Sequence, residues 1–445
     1  MITETKAGRE FSARTPRRRA GFPLIVVIGL ALLLLSGTGG TMAYFLLQPP
    51  SLITRTLTVS GALCGFWQAS IGAELGGYDS RFYDVASVTA NNIWAVGDTF
   101  HTTAPLPLLP GHLRFPLDLQ REQPLIAHWD GTHWNTMAAP DLGSEASLQA
   151  LAVAAPNDIW AVGVANDQYR IIHWDGTRWS LSPTPPLSST RSRLNAVAAF
   201  GSQDVWAVGD FWPTTGSYSQ ALMLHWDGSQ WQVERNLPVG GGQQSTELTD
   251  VTVLAAGDVW AVGTSSPSNA PTQGHILHWN GANWRLMLPP DLGGGTTAGP
   301  IVASAPNEVW VFGSGRDGKP TSQQWNGQTW RTVPVPPLRS GALTLLKRGV
   351  ARSAQDVWVV GGHATGGTPP VAIHWDGRSW EEVPSPAPAA YEVFSGVTAA
   401  ANGEVWAVGG SLRDLALDEG ASYALVAHFI PQPCAAQTPS PVGTP

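Results

Sequence analysis

Six histidines recur in one local context, His128, His173, His225, His278, His374 and His428, each before an aromatic residue. Imidazoles in a repeated pattern suggest metal ligation. Ligands must converge within about 2 Å of one ion, however. Copies about fifty residues apart belong on separate structural units, and the fifth copy has Gln324 instead. A structural histidine in each unit is the expectation, with no metal. Asp130, Asp175, Asp227, Asn280, Asn326 and Asp376 would be catalytic carboxylates in a different setting. Here Asn replaces Asp freely and Gly follows each time, which is the signature of a tight turn. The same reading applies to Asp158, Asp204, Asp258, Glu308, Asp356 and Glu404. No catalytic residues are assigned and no cofactor is expected.

These residues sit in one unit written seven times. An apolar strand leads through a short turn to "VWAVG"; a variable stretch follows, then "HWDG" and a further Trp. The first Trp of each unit is Trp94, Trp160, Trp206, Trp260, Trp310, Trp358 and Trp406. The second landmark is Trp129, Trp174, Trp226, Trp279, Trp325 and Trp375, with Phe429 in the last copy. The third is Trp134, Trp179, Trp231, Trp284, Trp330 and Trp380. A period near fifty indicates a propeller or solenoid. Each unit reads as four strands, A to D; in the second copy these are residues 151–155, 159–163, 169–174 and 179–182. Strand B is apolar on both faces, as a blade packed between two neighbours requires. Tryptophans recurring at fixed strand positions read as core rather than as a sugar-stacking platform.

The seventh copy stops after strand C. Trp67, in "CGFWQAS", is the one Trp upstream of the units, and it reads as the opening of the missing strand D. The fold expected is therefore all-β, a seven-bladed propeller closed by an N-terminal strand, which removes exposed sheet edges. The same scheme places Cys64 and Cys434, the chain's two cysteines, at one gap in the ring. A disulfide there would staple the ring and would require an oxidising compartment.

Upstream, Leu24 to Leu47 carries no charged residue and is long enough to span a bilayer. Six basic residues against two acidic ones in the first twenty predict a cytoplasmic N-terminus and an extracytoplasmic propeller. The alternative is a signal peptide cut after Ala43, with secretion. The expected organisation is a basic tail (1–21), a transmembrane anchor (22–47), a linker (48–62), the propeller (63–434) and a Pro/Thr-rich tail (435–445). With a net charge of −8 for the chain and six basic against two acidic residues in the first twenty, the remainder is strongly acidic, which argues against nucleic acid as a partner.

The unit resembles the kelch repeat. It has an apolar strand ending in glycine (the double glycine is present as Gly361-Gly362 and Gly409-Gly410), then an aromatic-Asp pair, then a Trp. It departs from kelch in keeping one glycine in most copies and in using "HWDG". "DGTHW" is also similar to the Asp-box of sialidase-type propellers, with altered spacing. The resemblance covers about Gly65 to Pro433 and implies a binding protein more often than an enzyme. A sialidase-like site needs a converging arginine cluster with an acid and a nucleophile, and no such pattern stands out. The copper-radical oxidases of the kelch class need a Tyr cross-linked to a Cys, and the closure scheme occupies both cysteines.

Recognition is then expected on the variable loops, where the aromatics fall outside the repeat. The first B–C loop, residues 99–124, carries Phe100, His101, His112, Arg114, Phe115 and Arg121. The third, residues 210–220, carries Phe211, Trp212 and Tyr218. The expected function is a non-catalytic, membrane-tethered module binding a protein or glycan outside the cell. The alternative is a carbohydrate-active propeller enzyme.

Overall fold

Glycine opposite a bulge sets the local geometry of every blade. In each first strand the register with strand B slips just past the residue paired with the strand-B glycine, for example between Phe82 and Asp84 and between Leu194 and Ala196. The bulge brings the two backbones close. A Cβ on Gly97, Gly163, Gly209, Gly263, Gly361 or Gly409 would overlap the carbonyl of the facing strand. That is why "VWAVG" ends in glycine. At the other end of the blade, the glycines of the C–D turns, Gly131, Gly176, Gly228, Gly281, Gly327 and Gly377, have φ between 86° and 97°. The "DG" and "NG" pairs are the tight turns expected.

The computed structural model describes residues 53–59, 63–71, 80–101, 121–241, 243–287, 297–315, 319–338, 344–363, 369–386, 392–412 and 422–433. All lie in one unit, Pro50–Pro445. They form seven antiparallel sheets, six of four strands and one of five. The first blade is Ser80–Thr89, Asn92–His101, Arg121–Trp129 and Trp134–Thr136. The second blade is Ser147–Ala155, Asp158–Ala165, Gln168–Trp174 and Trp179–Leu181. The strands expected there are the ones formed, with A and B longer at their ends.

Seven apolar clusters fill the blade interfaces, and each joins two adjacent blades. Seven interfaces for seven blades means that the ring is closed. The tryptophans carry this packing. The strand-B Trp of each blade meets the C and D aromatics of the next: Trp94 lies 4.9 Å from Trp174 and 5.6 Å from Trp179, and Trp406 lies 5.3 Å from Trp129. These are core residues, favoured by edge-to-face and tilted ring pairing.

The last blade confirms the closure. Its strands Glu392–Ala399, Val405–Leu412 and Ser422–Pro431 are completed by Gly65–Ile71, with Trp67 paired to Phe429. Trp67 is fully buried, 6.1 Å from Trp358, and takes the place of a third repeat Trp. One expectation is corrected here. The stretch 48–62, read as linker, contains the strand Ile53–Val59, which pairs along Gly65–Ile71 as a fifth, outermost strand. Its alternation of Thr with Ile, Arg, Leu and Val suits a half-buried strand, and Val59 is buried in the core. Residues 1–52 and 434–445, with the anchor expected at 24–47 and Cys434, lie outside the described residues. No helix of the described residues is long and apolar enough to cross a membrane.

Candidate functional site

The recurring His and acid pairs form one structural set per blade. His173, His225, His278 and His374 bond through Nε2 to Asp158, Asp204, Asp258 and Asp356 at 2.8–3.0 Å, and His428 Nε2 lies 3.0 Å from a Glu404 carboxylate oxygen. In the first blade Asn92 takes the place of the acid and pairs with His128 at 2.9 Å. In the fifth, Gln324 donates to Glu308. The same oxygen often accepts the strand-B indole as well: Trp206 donates to Asp204 at 2.7 Å and Trp260 to Asp258 at 2.8 Å. Each imidazole also packs on that indole, stacked in five blades, with centroids 4.0 Å apart for Trp206 and His225, and tilted for Trp358 and His374. An acid beside a histidine has the parts of a general base, but here both are committed to holding strands A, B and C together. The C–D turn carboxylates are likewise committed: Asp130 accepts from the backbone N–H groups of Thr132 and His133 and from the Thr132 hydroxyl. These bonds hold its pKa below the usual carboxylate range. Among the described residues no cluster of three potential ligands could hold a metal ion.

The loop aromatics are placed differently from expectation. Strand B of the first blade continues through Phe100 and His101, which pair with Glu122 and Arg121 of strand C. Phe100, His101 and Arg121 are therefore ribbon residues rather than loop residues. Arg114 and Phe115, with His112, lie outside the described residues. In the third blade strand B runs Val205–Pro213, so Phe211 and Trp212 are also on a strand. The physical reason is shared. Backbone pairing extends a hairpin outward wherever two strands already run antiparallel, whatever the side chains.

Adjacent strand residues face opposite ways, and this splits the pair in the third blade. Trp212 is half-buried against two guanidinium groups, Arg191 at 5.1 Å and Arg193 at 5.8 Å from its ring centre. Arg193 is anchored by Asp210 at 2.7 Å and Glu247 of the next blade at 3.0 Å. Arg191 meets Asp167 at 3.3 Å. The ring is thus fixed by cation–π contacts whose cations are themselves tied down. Phe211 faces the other side and lines a groove of about 500 Å³ with Leu187, Val233, Arg235, Leu237 and Val239. Tyr218 bonds through its hydroxyl to Ser268 at 2.8 Å. The first blade repeats part of this pattern: Arg81 bonds Asp98 at 3.0 Å and lies 5.1 Å from the ring centre of Tyr83, whose hydroxyl donates to Asp98 at 3.0 Å. Burial pushes the Tyr83 phenol well above its ordinary range.

Phe211 and Trp212 are thus both half-buried but on opposite faces of one strand, Phe211 at the groove and Trp212 against the arginines, at the end of the blade where the B–C and D–A loops emerge. The sequence reading missed Arg191 and Arg193. Their spacing of two, which puts both on one face of a strand, was the available signal; in the register Arg191 lies opposite Trp212 and Arg193 opposite Asp210.

No family model matches this chain, and no curated protein matches it. Several solved structures are similar to it. YCF48 bound to D1 peptide superposes with a TM-score of 0.51 at 13% identity, covering 86% of this chain and all of that one. An ulvan lyase gives a TM-score of 0.46 at 12% identity over 74% of this chain and 92% of that one. The fucose-specific lectin of Aleuria aurantia gives 0.42 at 12% identity over 62% of this chain and 94% of that one. At these identities the likeness to YCF48 is one of fold, and the chain is a seven-bladed β-propeller.

Proposed function

We propose that this chain is a kelch-like, non-catalytic binding module tethered by residues 24–47 to a cell membrane, with its propeller outside and its N-terminus inside. Its ligand is an extracytoplasmic protein or glycan, held on the loop-bearing face of the third blade. The observation that carries this reading is the pair Phe211 and Trp212. They stand outside the repeat, half-buried, one at a groove and one packed against two arginines. Rigid aromatics offer contact area at low entropic cost, which is what recognition surfaces use. The fold-level likeness to a propeller solved with a peptide supports a peptide segment as the first ligand class to try.

The test uses the full chain in nanodiscs against a peptide library and a glycan array. A ligand should bind, and Trp212→Ala with Phe211→Ala should weaken it at least about tenfold, the scale of one truncated anchor. The melting temperature should fall by no more than a few degrees. Binding that survives both substitutions moves the site elsewhere. Turnover of an oligosaccharide by the chain would replace this reading with the enzyme.

A further inference from the structure

An axial cavity of about 250 Å³ is lined by first-strand residues of all seven blades. At the bulge of these strands stand Asp84, Ala150, Ala196, Asp250, Pro300, Arg348 and Gly396 in blade order. Four are small or apolar and three are charged. The three charged residues meet. Arg348, on the sixth blade, donates through Nη1 to Asp250 Oδ1 at 3.1 Å and to the Thr249 carbonyl at 3.5 Å, both on the fourth blade. Its Nη2 donates to the Asn195 carbonyl on the third blade at 2.7 Å. Its Nε lies 4.0 Å from Asp84 Oδ1 on the first. None of these partners is on a blade adjacent to the sixth.

The carboxylates extend the network. Asp84 accepts from Val85 N at 3.0 Å and from Leu151 N of the second blade at 3.1 Å. Asp250 accepts from Val251 N at 3.0 Å and from Ile301 N of the fifth blade at 3.1 Å. They therefore cap inner-edge amides that a first strand otherwise leaves facing the channel. All three side chains are mostly buried, with 12–16% of each exposed. Gly396 leaves the room this needs, since a Cβ there would lie 2.6 Å from the Asp84 Cα.

We propose that Arg348, Asp84 and Asp250 form a clamp across the axis, which closes the channel at that level and makes the first, third, fourth and sixth blades open together. In arrays where each unit touches only its neighbours, units can open one at a time. Bonds across the axis remove that freedom, because opening any of the four blades breaks them. Arginine suits the task, since its planar fork addresses acceptors in several directions at once.

Site-resolved hydrogen exchange on the full chain tests this. In Arg348→Met, the Leu151 amide and the first strands of the first, third and fourth blades should exchange at least about tenfold faster, although the substitution lies on the sixth. Arg348→Lys should give the same map at smaller amplitude, because one ammonium cannot reach Asn195 and Asp250 together. Faster exchange confined to the fifth, sixth and seventh blades would show a local packing residue and overturn the clamp. If Arg348→Met does not fold, the unaltered protein decides. First-strand amides of the four clamped blades should share one opening free energy as denaturant rises, and separate values for each blade would overturn the clamp.

Discussion

The acid of each A–B turn shows how much one side chain can hold. Turn formation explains its presence between strands, yet Asp204 also accepts from Trp206 and His225. Removing it leaves two part-buried donors without an acceptor, at about 1–3 kcal/mol each. Asp204→Ala should therefore lower unfolding stability by about 2–6 kcal/mol. Asp204→Asn, which keeps an acceptor oxygen as Asn92 does in the first blade, should cost less. Equal losses in denaturant titrations of the two variants would show that the turn alone matters. Asp84 permits a different test. Burial raises its pKa from the usual 3.8 to about 6, against the opposing pull of Arg348, with Asp250 adding a like charge. A carboxyl that binds its proton more tightly when folded contributes stability as pH falls. The contribution begins near pH 6, is complete below the ordinary carboxylate pKa, and is lost again as pH rises through 6. It is on the order of 2–3 kcal/mol. His275 acts oppositely, its pKa lowered to about 4 by burial, but it is present in both proteins of a pair. The melting temperature of the unaltered chain minus that of Asp84→Asn should therefore grow between pH 7 and pH 4. A constant difference would refute the assignment.

Among the elements, what could be read from the chain was what repeats. The "DG" turns, the strand-B glycines and the three Trp positions each follow from a backbone or packing need common to every blade. Strand ends were less legible, because beyond the glycine the hairpins carry no alternation. Phe100, His101, Phe211 and Trp212 therefore looked like loop residues when backbone pairing alone extends their strands. The strand Ile53–Val59 was missed for a related reason: it belongs to no repeat, and only its partner Gly65–Ile71 shows what it completes. The reason for the strand-B glycine gives a prediction at this scale. A Cβ at Gly209 would overlap the Arg193 carbonyl, so Gly209→Ala must force strands A and B of the third blade apart. Gly201, by contrast, has a positive φ, of 86°, and nothing within 4 Å of its would-be Cβ. Gly201→Ala should cost about 1–2 kcal/mol, the strain of the left-handed backbone alone. Gly209→Ala should cost clearly more and should also shift Trp212 fluorescence through Arg193. Equal melting temperatures for the two variants would show that the bulge relaxes freely.

For the whole molecule, the ring depends on joining two ends that are remote in sequence. Recurrence made this legible, since a seventh unit without its last strand and one spare Trp upstream have a single arrangement that completes the blade. The axial clamp was not legible, because charges in first strands look like ordinary polar residues until the ring sets Arg348 opposite Asp84 and Asp250. The closure carries the last prediction. Gly65 pairs with Pro431, and the Gln432 amide donates to the Cys64 carbonyl at 3.0 Å, two residues before Cys434. No cysteine among the described residues is free. Bonding Cys64 to Cys434 would tie the closing strand to the end of the strand it pairs with. It would also constrain the unfolded chain across nearly the whole propeller, which the chain-entropy account values at about 6 kcal/mol. Peptide mapping without reductant should give one cross-linked peptide containing both residues. Cys64→Ser should lower the melting temperature by several degrees, and Cys434→Ser by the same amount, with no further loss in the double variant. Additive losses from the two substitutions, or free alkylation of both thiols in the native protein, would mean that strand pairing and Trp67 close the ring without a covalent bond.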